Sequence, residues 1–201
     1  MEISNLQDPI LFFVNWLREA EKAEPNDPNA MTLATVGKDF MPSARMVLLK
    51  DVTDRGFTFY TNSLSRKGQE LSLNPKVALC FHWKSLFRQV RVEGVAELVS
   101  EAEADEYFKT RHPISRLGAN VSKQSQVLRT REELVTAVKS LEEKYINKEN
   151  EIPRPKHWNG YRVMPLRIEF WQQGDYRLHD RFLFEREAVD SNEWRLNRLY
   201  P

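Results

Sequence analysis

The densest polar chemistry in this sequence lies in "RLHDR", residues 177–181, within the longer stretch "EFWQQGDYRLHDRFLFER". Read as a strand over 177–186, it puts Arg177, His179 and Arg181 on one face, with Leu178, Asp180 and Phe182 on the other, because successive strand side chains alternate. A row of three donors is either a solvated face or a surface that reads an anion. Arg177 stays charged at neutral pH, so it can orient a substrate and balance negative charge but is no base. An imidazole ordinarily changes charge near neutrality, so His179 is a candidate to take up a proton. Asp180, on the opposite face, reads as a structural partner for a nearby cation.

Other stretches place cations where anions would be welcome. In "TNSLSRKGQEL", Ser65 reads as an N-cap, which puts Arg66 and Lys67 in the first helical turn. The helix dipole is already positive there, so two added cations, a hydroxyl and free N–H groups suit a phosphate unless both side chains are merely solvated. In "SARMVLLKD", Arg45 and Lys50 bracket "MVLL" and alternate to opposite faces. That arrangement suits a large flat ligand along the strand end, or ordinary strand-end charges. In "EYFKTRHPIS", Tyr107 and Arg111 share a helix face and Ser115 follows the break at Pro113. These groups suit a second phosphate or a plain helix C-terminus. Gln89 in "RQVRVEG" lies on a half-exposed strand, and "SKQSQ" offers Gln124 and Ser125 from a polar loop.

Helices and strands must position these groups. A helix is expected over 8–24, capped by Asp8, opened by Pro9 and burying Ile10, Phe13, Val14 and Leu17. Strands are expected at 31–36, 43–50, 56–61, 76–83 and 88–99, with "TDRG" and "KSLF" as turns. A short helix, "SRKGQELSL", separates the third and fourth. Ser100 with Glu103 and Thr130 with Glu133 read as capping boxes for "EAEADEYFKT" and "REELVTAVKSLEEKYI". Strands around 161–173, 177–186 and 193–199 close the chain. The pattern is α+β and mainly antiparallel β, a barrel or sheet with appended helices in a single domain over 1–201.

Composition narrows the function. With 30 basic and 29 acidic residues the net charge is +1, which disfavours bulk binding of nucleic acid. His82, His112, His157 and His179 are scattered, so no metal site is expected. Cys80, the one cysteine, permits no intrachain disulfide and is expected to be buried in the strand "VALCFHW". No apolar run is long enough for a membrane span, and "MEISNLQDPILFF" has no signal-peptide character, so a cytoplasmic protein is expected.

The stretches "RMVLLK", "FYTNSLSRKGQEL", "RQVRVEG", "SKQSQ", "PKHWNGYRV" and "EFWQQGDYRLHDR" together resemble the FMN-dependent pyridoxine (pyridoxamine) 5′-phosphate oxidase family, in order and spacing. The first blocks resemble FMN split barrels in general; "FWQ…RLHDR" is specific to the vitamin B6 oxidases among them. The resemblance implies a split β-barrel and a homodimer with FMN at the interface. It implies oxidation of pyridoxine 5′-phosphate or pyridoxamine 5′-phosphate to pyridoxal 5′-phosphate, with O2 reduced to H2O2. It assigns FMN to Arg45, Met46, Val47, Leu48, Leu49, Lys50, Tyr60, Thr61, Arg66, Lys67, Gln89, Gln124, Ser125, Trp171 and Arg181. It assigns substrate to Lys50, Tyr107, Arg111, Ser115, Arg177 and His179, the last two catalytic.

Three features depart from the family pattern. The chain begins near the first helix, where many relatives carry a longer basic arm over the substrate. "FWQQG" replaces "FWQGG", and Asn120 stands where some relatives have Trp. The competing readings are another FMN split-barrel oxidoreductase, a flavin-binding protein with weak turnover, and an oligonucleotide-binding barrel. "RLHDR" disfavours the first and the near-zero charge disfavours the last.

Overall fold

The Asp8 carboxylate accepts hydrogen bonds from the N–H groups of Ile10 and Leu11, at 2.8 and 3.2 Å, and starts helix α1 (Pro9–Ala23). The computed structural model describes residues 8–201. The buried face of α1 is Pro9, Phe13, Trp16 and Ala20, with Ile10 and Leu17 packed at its margin. The apolar stripe is therefore rotated from the expected Ile10–Phe13–Val14–Leu17 set, because bulky Trp16 takes the centre.

Strands β1 (Ala30–Val36), β2 (Pro42–Leu48), β3 (Asp51–Thr53) and β4 (Gly56–Asn62) follow, then helix α2 (Arg66–Leu73), β5 (Lys76–Trp83) and β6 (Arg88–Leu98). Three helices, α3 (Glu101–Thr110), α4 (Pro113–Val121) and α5 (Arg131–Lys144), precede β7 (Trp158–Gln172), β8 (Asp180–Glu185) and β9 (Arg195–Arg198). Every strand pairing is antiparallel. The sheet runs β2-β1-β5-β6-β7, and the far edge of β7 is shared. Its first half pairs with β4, which carries β3, and its second half pairs with β8, which carries β9. The result is the expected α+β split β-barrel with appended helices.

Alternation explains the core. Val77, Leu79, Phe81 and Trp83 of β5 point inward, where they meet Leu33, Phe57, Phe59, Val90, Val92, Ile168, Phe170 and the α1 rings. Cys80 has the opposite parity. It is half-buried on the outer face, not in the core as its apolar neighbours suggested. A second cluster joins Phe108, Leu117, Ile152 and Trp158, with Val138, Leu141 and Tyr145 of the α5 segment packed against it.

Four expected elements need correction. The strand expected over 43–50 ends at Leu48: the Leu49 N–H bonds to Asn29 O and the Lys50 N–H to Thr58 O, so the backbone is crossing between partners there. Parity counted from Arg45 therefore does not extend to Lys50. The break at Pro113 opens a further helix, α4, which was not among the expected elements; Pro stands at its start and Ser115 sits in its first turn. The last strand is shorter than 193–199. The strand expected over 177–186 begins only at Asp180. Before it, Asp175–Arg177 form a 3-10 turn in which Tyr176 and Arg177 have φ of 53° and 66°. Left-handed backbone at two consecutive non-glycine residues is strained and must be held by its surroundings. Gly174 permits the turn: a Cβ there would stand 2.0 Å from the Leu178 carbonyl oxygen.

Helix α2 is pinned to the barrel through one buried carboxylate. Glu70 accepts from Thr35 Oγ1 at 2.5 Å, Ser43 Oγ at 2.7 Å, Arg66 Nε at 2.8 Å and Arg45 Nη2 at 3.2 Å. Burial pushes its pKa up, but the hydrogen bonds and the Arg45 charge prevail and hold it down to about 2. A depressed carboxylate pKa adds stability above its unfolded value and loses it as pH falls toward the folded value. Stability should therefore decline between about pH 4.5 and 2, and Glu70→Gln should flatten this decline while costing about 1–3 kcal/mol at pH 7. Urea titrations across that pH range check both; equal acid slopes in the two proteins would count against the assignment.

Candidate active site

The chemistry-bearing residues gather in three places. The first is the N-terminus of α2. Ser65 caps the helix, accepting from the Gly68 N–H at 3.4 Å. Lys67 is only 8% exposed. Its Nζ donates to Gln124 Oε1 at 3.0 Å and Ser65 Oγ at 3.4 Å, and Thr61 Oγ1 donates to the same Gln124 oxygen at 3.4 Å. Among the described residues no carboxylate forms a salt bridge with Lys67, since neighbouring Glu70 is taken by Arg45 and Arg66. Burial pushes the Lys67 pKa down, and the Arg45 charge adds to the effect. A buried cation without a counter-ion is costly, so this cradle is built for an anion.

The second place adjoins the first. Tyr60, next to Thr61 on β4, stacks on Tyr107 of α3 at 4.1 Å and on Trp158 of β7 at 5.1 Å. The Arg111 guanidinium lies over the Trp158 ring at 4.8 Å. Its Nη1 is buried and has no hydrogen-bond partner. Burial lowers the Arg111 pKa. A guanidinium held by its face with a free edge is ready for a planar or tetrahedral oxyanion.

The third place spans β6, β7 and β8. Gln89 pairs across the sheet with Trp171, and Trp171 with Arg181. The His179 ring lies 4.7 Å from that of Trp171. Trp171, Gly174, Arg177 and His179 contribute to a hollow of about 620 Å³. Arg177 and His179 thus share a hollow because the 175–177 turn folds over it, not because of strand parity. His179 Nδ1 accepts from the Gly174 N–H at 3.2 Å. A neutral imidazole bonded in this way carries its proton on Nε2, so the free side of the ring is a donor. Asp180, on the opposite face of β8, pairs with Arg198 at 2.8 Å.

Other expected site residues stand apart. Lys50, Ser115 and Ser125 are exposed, as are Met46 and Leu48 on the outer face of β2, whereas Leu49 is buried. Val47 packs against the core. No hydrogen bond or ring contact among the described residues links the first two clusters to the third. Asn120 donates to the carbonyls of Arg116 and Pro153 at 3.0 Å each, fastening α4 to the segment before β7. Sequence reasoning passed over Trp158, Glu70 and Glu169. Glu70 was signalled by its spacing of four from Arg66. Glu169 was signalled as the one carboxylate in "RIEFW".

The fold is an antiparallel split barrel, and its two cation clusters and ring-lined hollow could hold a phosphorylated aromatic ligand. The chain belongs to the pyridoxamine 5′-phosphate oxidase family: the family model matches residues 17–145, and the model for the pyridoxine 5′-phosphate oxidase C-terminal dimerisation region matches 158–201. It is 54% identical over 194 residues to a pyridoxine/pyridoxamine 5′-phosphate oxidase of Azorhizobium caulinodans, covering 96% of this chain and 90% of the relative. It is 55% identical to the Gluconobacter oxydans protein of the same name, covering 96% and 94%. Among solved structures it is similar to PhzG from Burkholderia lata, crystallised with tetrahydrophenazine-1-carboxylic acid, with a TM-score of 0.91, 32% identity and coverage of 98% and 95%. A pyridoxamine 5′-phosphate oxidase-related FMN-binding protein from Nostoc punctiforme shares the fold, with a TM-score of 0.75 at 16% identity and coverage of 96% and 98%.

Proposed function

We propose that the protein carries out the reaction of its family with FMN, oxidising pyridoxine 5′-phosphate or pyridoxamine 5′-phosphate to pyridoxal 5′-phosphate. The observation that carries this reading is Lys67, a buried cation at a helix N-terminus with no carboxylate of its own. It fits the cofactor phosphate, together with Ser65, Arg66, Thr61 and Gln124. Arg45, the 46–50 segment, Tyr60, Gln89, Ser125, Trp171 and Arg181 complete the proposed FMN set. Arg111, with its unpartnered Nη1, fits the substrate phosphate, alongside Tyr107, Ser115 and Lys50.

When bound, FMN supplies a two-electron oxidation, taking hydride from the substrate carbon that bears the alcohol or amine and returning the electrons to O2 as H2O2. The chain's own contribution is placement, which can account for about 7–11 kcal/mol of a barrier. Arg177 presents a permanent cation at the mouth of the hollow. His179 offers Nε2–H as a donor, because Gly174 occupies Nδ1. Its role is therefore orientation of the substrate oxygen or nitrogen, in place of the proton acceptor considered from sequence.

The chain works as one unit and as a homodimer in this reading. Strands β7 to β9, matched by the dimerisation region, belong to the same sheet as β1 to β6. The two cradles share no hydrogen bond or ring contact with the ring-lined hollow among the described residues, and they are reconciled if partner chains each supply one half of a site. Among the described residues no helix is long and apolar enough to cross a membrane. A cytoplasmic setting accords with the lone cysteine and completes the proposal.

Purified protein supplied with FMN should release peroxide on addition of either phosphorylated vitamer and not with a phenazine precursor; the reverse preference would overturn the substrate reading. Lys67→Ala should weaken FMN binding about tenfold or more, since hydrogen bonds to charged groups contribute roughly 1.5–3 kcal/mol. Titration of the apo-protein reads this directly, and unchanged affinity refutes the cradle. Arg177→Ala and His179→Ala should stay yellow but lose kcat/KM by about tenfold or more. If His179 is a donor, the wild-type and His179→Ala pH profiles should have the same limbs; a limb lost in the variant would restore a proton-accepting role. Sedimentation of the flavin-loaded protein should give a dimer, and a fully active monomer would exclude the shared site.

A further inference from the structure

Glu169 is a carboxylate only 4% exposed, on a strand whose neighbouring residues Ile168 and Phe170 are core. Neither oxygen is free. Oε1 accepts from Arg181 Nε at 2.9 Å, and Oε2 accepts from Arg91 Nη2. The Arg181 guanidinium is braced a second time, because its Nη1 donates to the Tyr200 carbonyl at 3.0 Å. The same tail segment is held to the strand by the Leu199 N–H, which donates to Arg181 O at 3.0 Å. With Nε and Nη1 engaged, Nη2 is the nitrogen of Arg181 left for a ligand, on the face it shares with Trp171.

We propose that Glu169 is a positioning residue: it orients the Arg181 guanidinium toward the cofactor and neutralises enough charge for Arg91 and Arg181 to lie together. The proposal rests on the reading of Arg181 as an FMN contact. Two guanidinium groups on one carboxylate leave a local excess of one positive charge beside the Trp171 ring. That excess suits an electron-rich ring edge. Without the carboxylate, the arginines repel and Arg181 loses the bond that fixes its plane.

A double-mutant cycle on FMN affinity separates positioning from plain stability. The apo-proteins carrying Glu169→Gln, Arg181→Ala and both are titrated with FMN, following flavin fluorescence, with thermal midpoints measured in parallel. Glu169→Gln keeps the volume and removes the charge. It should weaken FMN about tenfold in the wild-type background and less than about twofold once Arg181 is gone. Equal losses in both backgrounds, or an unchanged affinity in Glu169→Gln, would overturn the proposal while leaving Arg181 a cofactor contact. An Arg181→Ala protein that binds FMN normally would instead overturn the reading of Arg181, and the proposal with it. If Glu169→Gln does not fold, the cycle is run with Glu169→Asp, which keeps the charge but shortens the reach, under the same criteria.

Discussion

Strand β7 is the constraint on which the other parts depend. Its backbone bonds to β6 along one edge and to β4 and then β8 along the other. Three side chains that matter to the candidate site project from this one strand. Trp158 at its start carries Arg111, Glu169 near its end braces Arg181, and Trp171 faces His179. A register slip of one residue would turn Glu169 and Trp171 inward and put Ile168 and Phe170 outside. The buried rings of Phe170 and Phe182, opposite each other across β7 and β8, oppose such a slip. The core therefore fixes how these groups are spaced at the two ends of β7. The bulge between Glu93 and Gly94 lies between those ends and lets the long pair β6–β7 bend around the barrel.

Buried charges in this fold divide into those paired within the chain and those without a counter-ion among the described residues. Glu70, Glu169 and Arg162 are all 5% exposed or less, and each meets opposite charge within the chain: Glu70 with Arg45 and Arg66, Glu169 with Arg91 and Arg181, Arg162 with Glu103. Desolvating an ion costs several kcal/mol, so such pairing is the expected state of a buried charge. Lys67 breaks the pattern: its hydrogen-bond partners are neutral oxygens, and no carboxylate among the described residues forms an ion pair with it. So does Arg111, whose buried Nη1 faces no acceptor. Lys67 and Arg111 lie on the two sides of Tyr60 and Thr61, consecutive residues of β4 that face opposite ways, while Arg116, 4% exposed with an unpartnered Nε and no ion pair among the described residues, is a third exception. One strand thus contributes to both cation clusters, Thr61 to that of Lys67 and Tyr60 to that of Arg111.

Much of this fold was legible in the sequence where a single rule operated. Alternation drew β5 and β6, and the Ser100–Glu103 capping box drew the start of α3. Reading failed where a second effect intervened. "RLHDR" has strand composition, but Gly174 allows a close approach to Leu178 that folds the preceding residues into a strained turn. The end of β2 could not be read because it is decided by backbone partners on β1 and β4, distant in sequence. Cys80 was misjudged because hydrophobic company was counted in place of parity. The candidate site was legible in its residue types and not in its supports. Trp158, Glu70 and Glu169 act on groups far away in the chain, and only tertiary structure brings them together.

The strained turn bears on how the proposed chemistry would be divided. Tyr176 is 95% exposed and left-handed, and the exposed Arg177 follows it in the same conformation. Strain at the protein's surface has no packing of its own to sustain it. What sustains it here is the main chain beneath: the Leu178 N–H bonds to Asp175 O at 2.9 Å, and the Gly174 N–H bonds to the His179 ring at 3.2 Å. His179 is thus a strut of the turn that presents Arg177, and Trp171 sets the plane in which the ring lies. The Nδ1 lone pair is committed to the Gly174 N–H, so Nε2 is the nitrogen the ring leaves open. A ring nitrogen already engaged in the turn is not open to the reaction's proton. In the proposed mechanism His179 therefore serves recognition, and the proton leaves by another route than this ring.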